Sequence, residues 1–524
     1  MNYPDWILGF PGGILIALVA IVHVVVSHFA IGGGAFLVVT EKRAYGKNDA
    51  AALAYVRRHS KFFALLTLVF GAVTGVGIWF AIGLVTPEAT SALIHSFVWA
   101  WAIEWVFFFV EITSAIIYAT SWDKLDRKSH MLVGWIYFVA AWMSLAVING
   151  IITFMLTPGK WLQTHNIWDG LFNPTYMPSL FARTALCVLL AGVFGLVTIG
   201  KKDGGARERL VRWSGMWMLA GSIMLPVFIY WYFLKLPKFS KTYISESLTN
   251  VSQALRGGIA CAALIGAVTL VFALWKPRWM RAPVVVVLVV ASLGLMGSGE
   301  YVREFSRKPW VVNGYMYAND IPLSAIPVLQ KDGVAAKANF LLTTDTKSME
   351  YGKNLFTLEC GSCHSVNGYR SMRQRVKGWD AAFATQMVAH LPMTKGPMPE
   401  FAGNEADREA LGKYLASLNP PVDYGTITDA NRMAVGAQVF AVHCGNCHTV
   451  NGDFRPLRDA FTNSTPDQVE GLLPMLDTMS TNMPHFDAPA DQAHALAVYV
   501  ATEANRPLSN PPASNQPGPP PGVK

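Results

Sequence analysis

The chain has 524 residues, of which 52% are hydrophobic and 15% charged, and its formal net charge is +8. The apolar residues are concentrated in the first three hundred positions, whereas the remainder has ordinary polarity. This distribution predicts a membrane domain followed by a water-exposed part. The positive charge lies mostly in the loops of the membrane domain, so it gives no support for nucleic-acid binding.

Eight apolar stretches follow one another in the first part of the chain. Each approaches or exceeds the roughly 20 residues that a helix needs to cross a bilayer. They lie at 10–40, 62–85, 93–120, 131–156, 179–199, 213–234, 257–275 and 282–299. The sequence therefore predicts an all-α fold that begins with a polytopic bundle of about eight transmembrane helices, within residues 1–310.

Basic residues in the loops predict the orientation of this bundle. They are concentrated in the first, third, fifth and seventh connections, and the second and fourth connections carry almost none. Because Lys and Arg are retained in cytoplasmic loops, the N-terminus and the end of the last span are both expected to face the periplasm of a bacterial inner membrane. The sixth loop departs from this pattern, and lipid headgroup contact explains its basic residues more simply than a docking surface. They are Lys235, Lys238, Lys241 and Arg256.

Ionisable side chains lie inside several predicted spans, where burial is expensive and a functional role is the first hypothesis. The first span contains His23 and His28, and the third contains Glu104 and Glu111. The glutamates are seven residues apart, so they share one helix face and lie about 10 Å apart along the axis. Such a ladder of carboxylates is suited to carrying protons to a buried redox centre. For an isolated histidine, a structural hydrogen bond between helices is an equal alternative.

Two copies of one motif lie in the last third of the chain. Each has the form C-x-x-C-H, in which two cysteines form thioethers to a haem and the histidine ligates its iron. A Gly-x-x-x-Phe segment precedes each motif and Val-Asn-Gly follows it closely. This repetition favours two covalently bound haems c over a zinc or redox site. The residues are Cys360, Cys363 and His364 in the first copy and Cys444, Cys447 and His448 in the second.

A methionine in a shared Met-Pro-x-Phe context follows each motif. These residues are Met398 and Met483. We expect their sulfurs to be the second axial ligands, since His/Met ligation is the usual arrangement in cytochromes c. Met393 and Met479 are competing candidates, and core packing is the alternative role for any of the four.

Helical stretches at 407–418 and 489–500 follow the two methionines and are expected to close two small helical cytochrome c domains. Since haem c is attached outside the cytoplasmic membrane, these domains are expected in the periplasm. The predicted boundaries are a mainly irregular linker at 311–345, cytochrome c domains at 346–420 and 428–505, and a Pro-rich disordered tail at 506–524.

Seven short segments of the membrane domain occur in an order that is typical of one family. They are Ala17–His23 (ALVAIVH), Phe70–Gly75 (FGAVTG), Ala102–Glu111 (AIEWVFFFVE), Trp122–Met131 (WDKLDRKSHM), Asn149–Gly150, Phe172–Pro174 and Glu304–Trp310 (EFSRKPW). Through these segments, over about residues 10–310, the chain resembles subunit I of the cytochrome bd oxygen reductases.

The resemblance implies roles for four residues. His23 would be the axial ligand of one high-spin membrane haem, and Glu304 would ligate the iron of a neighbouring one. Glu104 and Glu111 would line that site and its proton route, with Glu104 a further candidate for the iron. The family reduces O2 to water, so two haems of b or d type are expected in the membrane domain beside the two haems c.

The chain also departs from the family. The family holds its low-spin haem with a histidine and a methionine, where this chain has Arg183 and either Gly257 or Gly258. The long quinol-binding loop is reduced to 235–256, and the cytochrome c domains take the place of the ninth span. These changes imply a divergent branch without a quinol site, in which haems c replace the quinol as the electron inlet.

The leading functional hypothesis is a membrane-bound multihaem oxidoreductase that acts as a cytochrome-c-linked terminal reductase for O2 or a small nitrogen oxide. Its expected partners are a periplasmic electron donor and either a second integral-membrane subunit or another copy of the chain. Two alternatives are a non-catalytic electron-transfer subunit of a larger respiratory complex and a membrane anchor for a dihaem cytochrome c.

Overall fold

A computed structural model describes residues 12–245, 249–336, 345–368 and 370–507. The chain divides into two compact units after Leu323. The predicted all-α fold is confirmed, since helices dominate both units and the described strands are limited to one short hairpin. The Pro-rich tail lies outside the described residues from 508 onward.

The first unit contains the eight predicted membrane spans. We number these helices span 1 to span 8. They are Gly12–Gly46, Ala50–Val85, Val98–Thr120, Arg127–Phe154, Tyr176–Val197, Asp203–Lys235, Val251–Trp275 and Ala282–Arg307. Each is long and apolar enough to cross a bilayer. The prediction of eight spans is therefore confirmed.

Polar residues define the ends of several spans. The Asp49 carboxylate accepts a hydrogen bond from the Ala52 backbone N–H at the start of span 2, and Asp126 does the same for Ser129 at the start of span 4. These side chains satisfy backbone donors that a helix leaves unpaired in its first turn. Shorter helices at Pro87–Ser96, Trp161–Thr164, Ile167–Leu171 and Lys238–Ser245 connect the spans.

Span 5 forms the centre of the bundle and is the most enclosed of the eight. Its residue Phe194 stacks on Phe29 of span 1 with ring centroids 4.5 Å apart. Tyr55 of span 2 donates a hydrogen bond to the Gly195 carbonyl oxygen at 2.7 Å. These contacts hold spans 1, 2 and 5 together by close packing and by polar bonds, the forces that join helices inside a bilayer.

The segment expected to be a mainly irregular linker has regular structure. A hairpin pairs Trp310–Val312 with Met316–Tyr317 and ends the first unit. The helix Ile326–Asp332 belongs to the second unit, where Gln330 donates a hydrogen bond to the Phe401 carbonyl oxygen at 3.2 Å. The sequence of this segment has little hydrophobic periodicity, so it gives no sign of these short elements. Tertiary contacts stabilise them. Residues 337–344 lie outside the described chain.

The second unit contains two helical domains with the same plan. Helices of the first are Met349–Leu355, Met372–Arg375, Ala381–Ala389 and Glu405–Ser417, and helices of the second are Arg432–His443, Arg458–Phe461, Pro466–Leu472, Leu476–Met479 and Ala490–Ala504. The helices predicted after each candidate methionine are therefore confirmed.

In both domains a glycine allows the first helix to cross the last at short range. A Cβ atom at Gly352 would lie 2.3 Å from the carbonyl oxygen of Ala410, and one at Gly436 would lie 2.1 Å from that of Ala495. No larger side chain fits at these distances, so the crossing requires glycine. The repeated Gly-x-x-x-Phe segment therefore has a structural cause: it sets the frame in which each C-x-x-C-H motif is held.

Candidate functional site

The first C-x-x-C-H motif folds as a compact turn. The backbone N–H groups of Cys363 and His364 both donate to the Cys360 carbonyl oxygen, at 3.0 and 2.9 Å. In the second motif Cys447 and His448 donate to the Cys444 carbonyl oxygen at 3.0 and 2.8 Å. The structure thus brings two thiols and an imidazole together in each domain, in two matching copies.

Both motif histidines are oriented by the same kind of hydrogen bond. Nδ1 of His364 lies 3.0 Å from the carbonyl oxygen of Arg370, and Nδ1 of His448 lies 3.1 Å from that of Arg455. Because a carbonyl only accepts, each Nδ1 carries the proton and Nε2 keeps its lone pair for iron. Both arginines have a positive φ, 47° and 42°, which turns these carbonyls toward the rings.

The cysteine environments suit thioethers better than metal thiolates. All four cysteines are free thiols. Burial raises the pKa of the Cys360 thiol far above its usual range and raises that of Cys444 to about 12. Surroundings that oppose thiolate formation are unsuited to a zinc site, which needs ionised sulfur, but they accept a neutral thioether. The donor set therefore fits a covalently attached haem.

Contacts of the four candidate methionines favour Met398 and Met483 as ligands. The Met393 sulfur lies 3.5 Å from Nη2 of Arg455, and its carbonyl accepts from Nη1 of the same side chain. Met479 ends a short helix with 59% of its surface exposed. Met398 and Met483 lie in half-buried loop positions of their own domains. Their assignment remains a prediction that these contacts support.

In the membrane unit, His23 of span 1 is oriented by Thr74 of span 2. Nδ1 of His23 lies 3.1 Å from the Thr74 hydroxyl, which donates its own hydrogen to the Phe70 carbonyl oxygen. The hydroxyl must then accept from Nδ1–H, and Nε2 keeps its lone pair. This arrangement gives His23 the same tautomer as the two motif histidines, and the residue fits the role of a haem ligand.

Glu104 and Glu111 of span 3 each have a hydroxyl partner on span 4. The Ser144 hydroxyl donates to Glu104 at 2.8 Å, and the Tyr137 hydroxyl donates to Glu111 at 3.0 Å. The partners are seven residues apart on an antiparallel helix, as are the glutamates, so two matched rungs join the spans. The predicted common face is confirmed, and it points toward span 4.

A second buried cluster was missed from the sequence. Glu41 at the end of span 1 accepts a hydrogen bond from the Tyr118 hydroxyl at 2.7 Å, and Nδ1 of His130 lies 3.0 Å from the same carboxylate. All three side chains are buried. Glu41 lies among the basic residues of the first loop, so the sequence gives it the appearance of an ordinary loop charge.

A small cavity lies between this cluster and the glutamate pair. Tyr118 and Tyr137 both line it, and its volume is about 10 Å³, enough for about one water molecule. The other lining residues are Gly34, Leu37, Phe63, Ala115 and Gly134. The Tyr118 hydroxyl is bonded to Glu41 and the Tyr137 hydroxyl to Glu111. The two tyrosines therefore connect each carboxylate to the same cavity.

Arg183 lies in an ionic cluster. Its guanidinium lies 3.7 Å from the Glu300 carboxylate, which also accepts from Arg303 at 2.8 Å. Nη1 of Arg183 lies 3.5 Å from Nε2 of His28, whose Nδ1 is bonded to the Val24 carbonyl oxygen. These residues do not fit a low-spin haem at this place, because a guanidinium does not ligate iron and the imidazole nitrogen faces a cation.

Glu304 is placed between two cations near the end of span 8. It forms ion pairs with Arg307 and with Lys308, the latter at 3.2 Å. Within the same helix Arg303 pairs with Glu300 and Arg307 with Glu304, each three residues apart. A carboxylate can ligate iron, but Arg307 engages one oxygen of Glu304 and Lys308 the other, so these two partners would compete for that role.

Comparison with known families agrees with this division of the chain. Residues 14–230 match the family described as cytochrome bd terminal oxidase subunit I. Residues 347–415 and 431–500 match the family described as cytochrome c oxidase, cbb3-type, subunit III. The chain carries a cytochrome bd oxidase subunit I domain and two cytochrome c domains. The resemblance deduced from the seven segments is thus confirmed, and the second family adds that both cytochrome c domains are of one type.

A solved structure supports the fold of the membrane domain. The bd oxidase from Geobacillus thermodenitrificans is 16% identical, with a TM-score of 0.51, and the match covers 58% of this chain and 88% of that one. At this identity the match shows the fold alone. A comparison with curated proteins finds no significant match.

The two domain types together define the general class of the protein. It is an integral membrane protein with haem-binding domains, and it takes part in electron transfer as an oxidoreductase-like protein. The cytochrome c domains imply that it exchanges electrons with redox partners.

Proposed function

We propose that this protein is a terminal reductase that receives electrons from a periplasmic donor through its cytochrome c domains and delivers them to O2 or a small nitrogen oxide in its membrane domain. The observation that carries the proposal is the pair of matched rungs, Glu104 with Ser144 and Glu111 with Tyr137. An electron relay has no need of protonatable groups inside a bilayer, whereas reduction of an oxygen-containing acceptor consumes protons.

The residues that would hold the haems are those with a free imidazole nitrogen, a thioether sulfur or an anionic oxygen. His364 with Met398, and His448 with Met483, would be axial ligands of the two haems c, while His23 and Glu304 would serve two haems of b or d type in the membrane. Haems bound there would supply iron for one-electron transfer and, in the membrane domain, a position at which the acceptor could bind.

Contacts among the loops that are predicted to be cytoplasmic support the proposed orientation of the membrane domain. Arg57 of the first connection pairs with Asp123 of the third at 2.8 Å, and Asp49 of the first pairs with Arg209 of the fifth at 2.8 Å. Arg278 of the seventh pairs with Glu208 at 2.6 Å. All four basic loops therefore meet at one end of the bundle, as the charge pattern requires if that end is cytoplasmic.

Protons would enter from this end and move along span 3. The Glu41 carboxylate, bonded to His130 and Tyr118, is the first acceptor. The Tyr118 hydroxyl would pass a proton across the cavity to the Tyr137 hydroxyl, which is bonded to Glu111, and Glu104 is one further step along the helix. Each member lies in a spanning helix and is held by at least one hydrogen bond.

Arg183 supports the proposal that this chain has lost the family's quinol inlet. This residue pairs with Glu300. The family's second ligand of the low-spin haem is a methionine, and the corresponding residue here, Gly257 or Gly258, has no side chain that could ligate iron. The electrons would then have to arrive by another route, and the two haems c provide one. The same observation favours a second candidate function, a non-catalytic electron-transfer subunit of a larger complex, because a domain that lost one haem can also have lost its catalysis.

The haem content and the binding of carbon monoxide test the proposal. We expect a pyridine haemochrome assay of the purified protein to give non-covalent haem in addition to two covalent haems c. Carbon monoxide should change the spectrum of the reduced membrane haem. Non-covalent haem without carbon monoxide binding would favour the electron-transfer subunit, and two haems c alone would favour a membrane anchor.

A further inference from the structure

The two cytochrome c domains contact each other at their ligand loops. The backbone N–H of Lys395, in the loop that carries Met398, donates to the carbonyl oxygen of Asn446 at 2.8 Å. Asn446 lies between Cys444 and Cys447 within the second motif. The loop that carries the proposed ligand Met398 is therefore bonded directly to the segment between the two cysteines of the second motif.

The side chain of Arg455 makes two polar contacts across this interface. Its carbonyl oxygen accepts from Nδ1 of His448 at 3.1 Å and so orients that axial ligand. Its guanidinium donates from Nη1 to the Met393 carbonyl oxygen at 2.9 Å and places Nη2 3.5 Å from the Met393 sulfur. One residue thus holds the histidine of one haem with its backbone and the methionine loop of the other with its side chain.

Two further contacts keep the domains in this arrangement. Nε2 of His390 lies 3.1 Å from the carbonyl oxygen of Thr481, two residues before Met483. The ring of His443 lies between Phe383 of the first domain and Phe486 of its own, with centroids 4.8 and 5.3 Å away. Both methionine loops are therefore part of the contact, and three aromatic rings also contribute to it.

We propose that Arg455 is a positioning residue that couples the axial ligation of the two haems c, so that the two domains act as one redox unit. A planar guanidinium with several donors is suited to hold both a carbonyl and a sulfur at once, which a flexible ammonium does less well. A change of ligation in either domain is transmitted to the other through this residue. With both haems bound, one electron would pass between the domains at a time, and no bond would form or break.

The corresponding residue of the first domain supplies a matched control. Arg370 also has a positive φ and also orients an axial histidine through its carbonyl oxygen. Of these two arginines, Arg455 is the one whose side chain is described in contact with the other domain. The inference does not depend on which acceptor the membrane domain reduces, because it concerns the cytochrome c domains alone.

The test is a spectroelectrochemical titration of the c-type absorption in the full-length protein. The two redox transitions are assigned first, since Met398→Ala and Met483→Ala each displace one of them. Arg455→Ala is expected to change the midpoint potentials of both haems, with about a tenfold change in at least one redox equilibrium constant, the effect of losing a charged hydrogen bond. Arg370→Ala is expected to affect the first haem alone.

Two variants keep the proposal falsifiable if Arg455→Ala fails to mature. Arg455→Lys retains the charge but loses the planar fork, and Met393→Leu removes the sulfur contact. Both are expected to displace the transition of the first haem. If Arg455 variants carry two covalent haems and change the second haem alone, or neither haem, the coupling role is wrong.

Discussion

The guanidinium of Arg183 lies 3.7 Å from the carboxylate of Glu300 and joins span 5 to span 8 inside the bundle. Both side chains are more than four-fifths buried. The resemblance to the bd family implies a haem-ligating histidine where this chain has Arg183. We propose that the ion pair joins the two spans at this place instead.

Removal of one member of this pair should destabilise the membrane domain. Arg183→Ala leaves Glu300 buried with fewer partners, and we expect the free energy of unfolding in detergent to fall by about 3 kcal/mol. The double variant with Glu300→Ala should recover part of that loss. The exposed pair of Arg278 with Glu208 is the control, and Arg278→Ala should cost less than about 1 kcal/mol. Equal effects of Arg183→Ala and Arg278→Ala would contradict a structural role for the buried pair.

Replacement of the two methionines proposed as iron ligands should distinguish them from the competing candidates. Met398→Ala and Met483→Ala should each lower the potential of one haem c and remove its His/Met spectral signature, because thioether ligation raises the potential of the iron. Met393→Ala and Met479→Ala are the matched controls and should retain that signature. Loss of the signature in Met393→Ala with retention in Met398→Ala would reverse the assignment in the first domain.

His23 should be required for haem in the membrane domain alone. His23→Ala is expected to lose non-covalent haem while both covalent haems c remain, as measured by pyridine haemochrome and by haem staining of a denaturing gel. His95 is a suitable control, since its ring is exposed and bonded to its own helix at the Ser91 carbonyl oxygen. Unchanged non-covalent haem in His23→Ala would refute the ligand role.

The carboxylate pair should limit turnover without affecting haem binding. Glu104→Gln and Glu111→Gln preserve shape but remove the acidic proton, and we expect acceptor reduction to slow by about 100-fold, as for loss of a positioned acid–base group. The haem spectra should stay unchanged. Ser144→Ala keeps the carboxylate of Glu104 and should have a smaller effect. Full activity in both glutamine variants would exclude this route.

Glu41 extends the same test to the proposed entry of the path. Glu41→Gln retains the size of the side chain and a hydrogen-bond acceptor for the Tyr118 hydroxyl, but it cannot take up a proton. We expect slower turnover that improves as the pH is lowered on the cytoplasmic side of proteoliposomes, since a higher proton concentration replaces the lost acceptor. A variant with lowered activity at every pH would indicate that Glu41 only holds the helices together.

Periodicity and spacing predicted much of the molecule. The eight spans, the paired C-x-x-C-H motifs and the common face of Glu104 and Glu111 depend on local sequence, which is why they could be predicted. The cluster of Glu41 with His130 could not, because its members are 89 residues apart and each has an ordinary local context. The same limit applies to Arg455, whose role arises from a contact between two domains. The hairpin after span 8 was missed since its strands are only three and two residues long.

The central claim is that electrons held by the cytochrome c domains are consumed in the membrane domain. The most direct measurement is stopped-flow mixing of the fully reduced, full-length protein with O2 or with nitric oxide, followed at the c-type absorption. With one of these acceptors, we predict that both haems c become oxidised much faster in the native protein than in His23→Ala. Equal rates of oxidation in the two proteins, with both acceptors, would contradict the account.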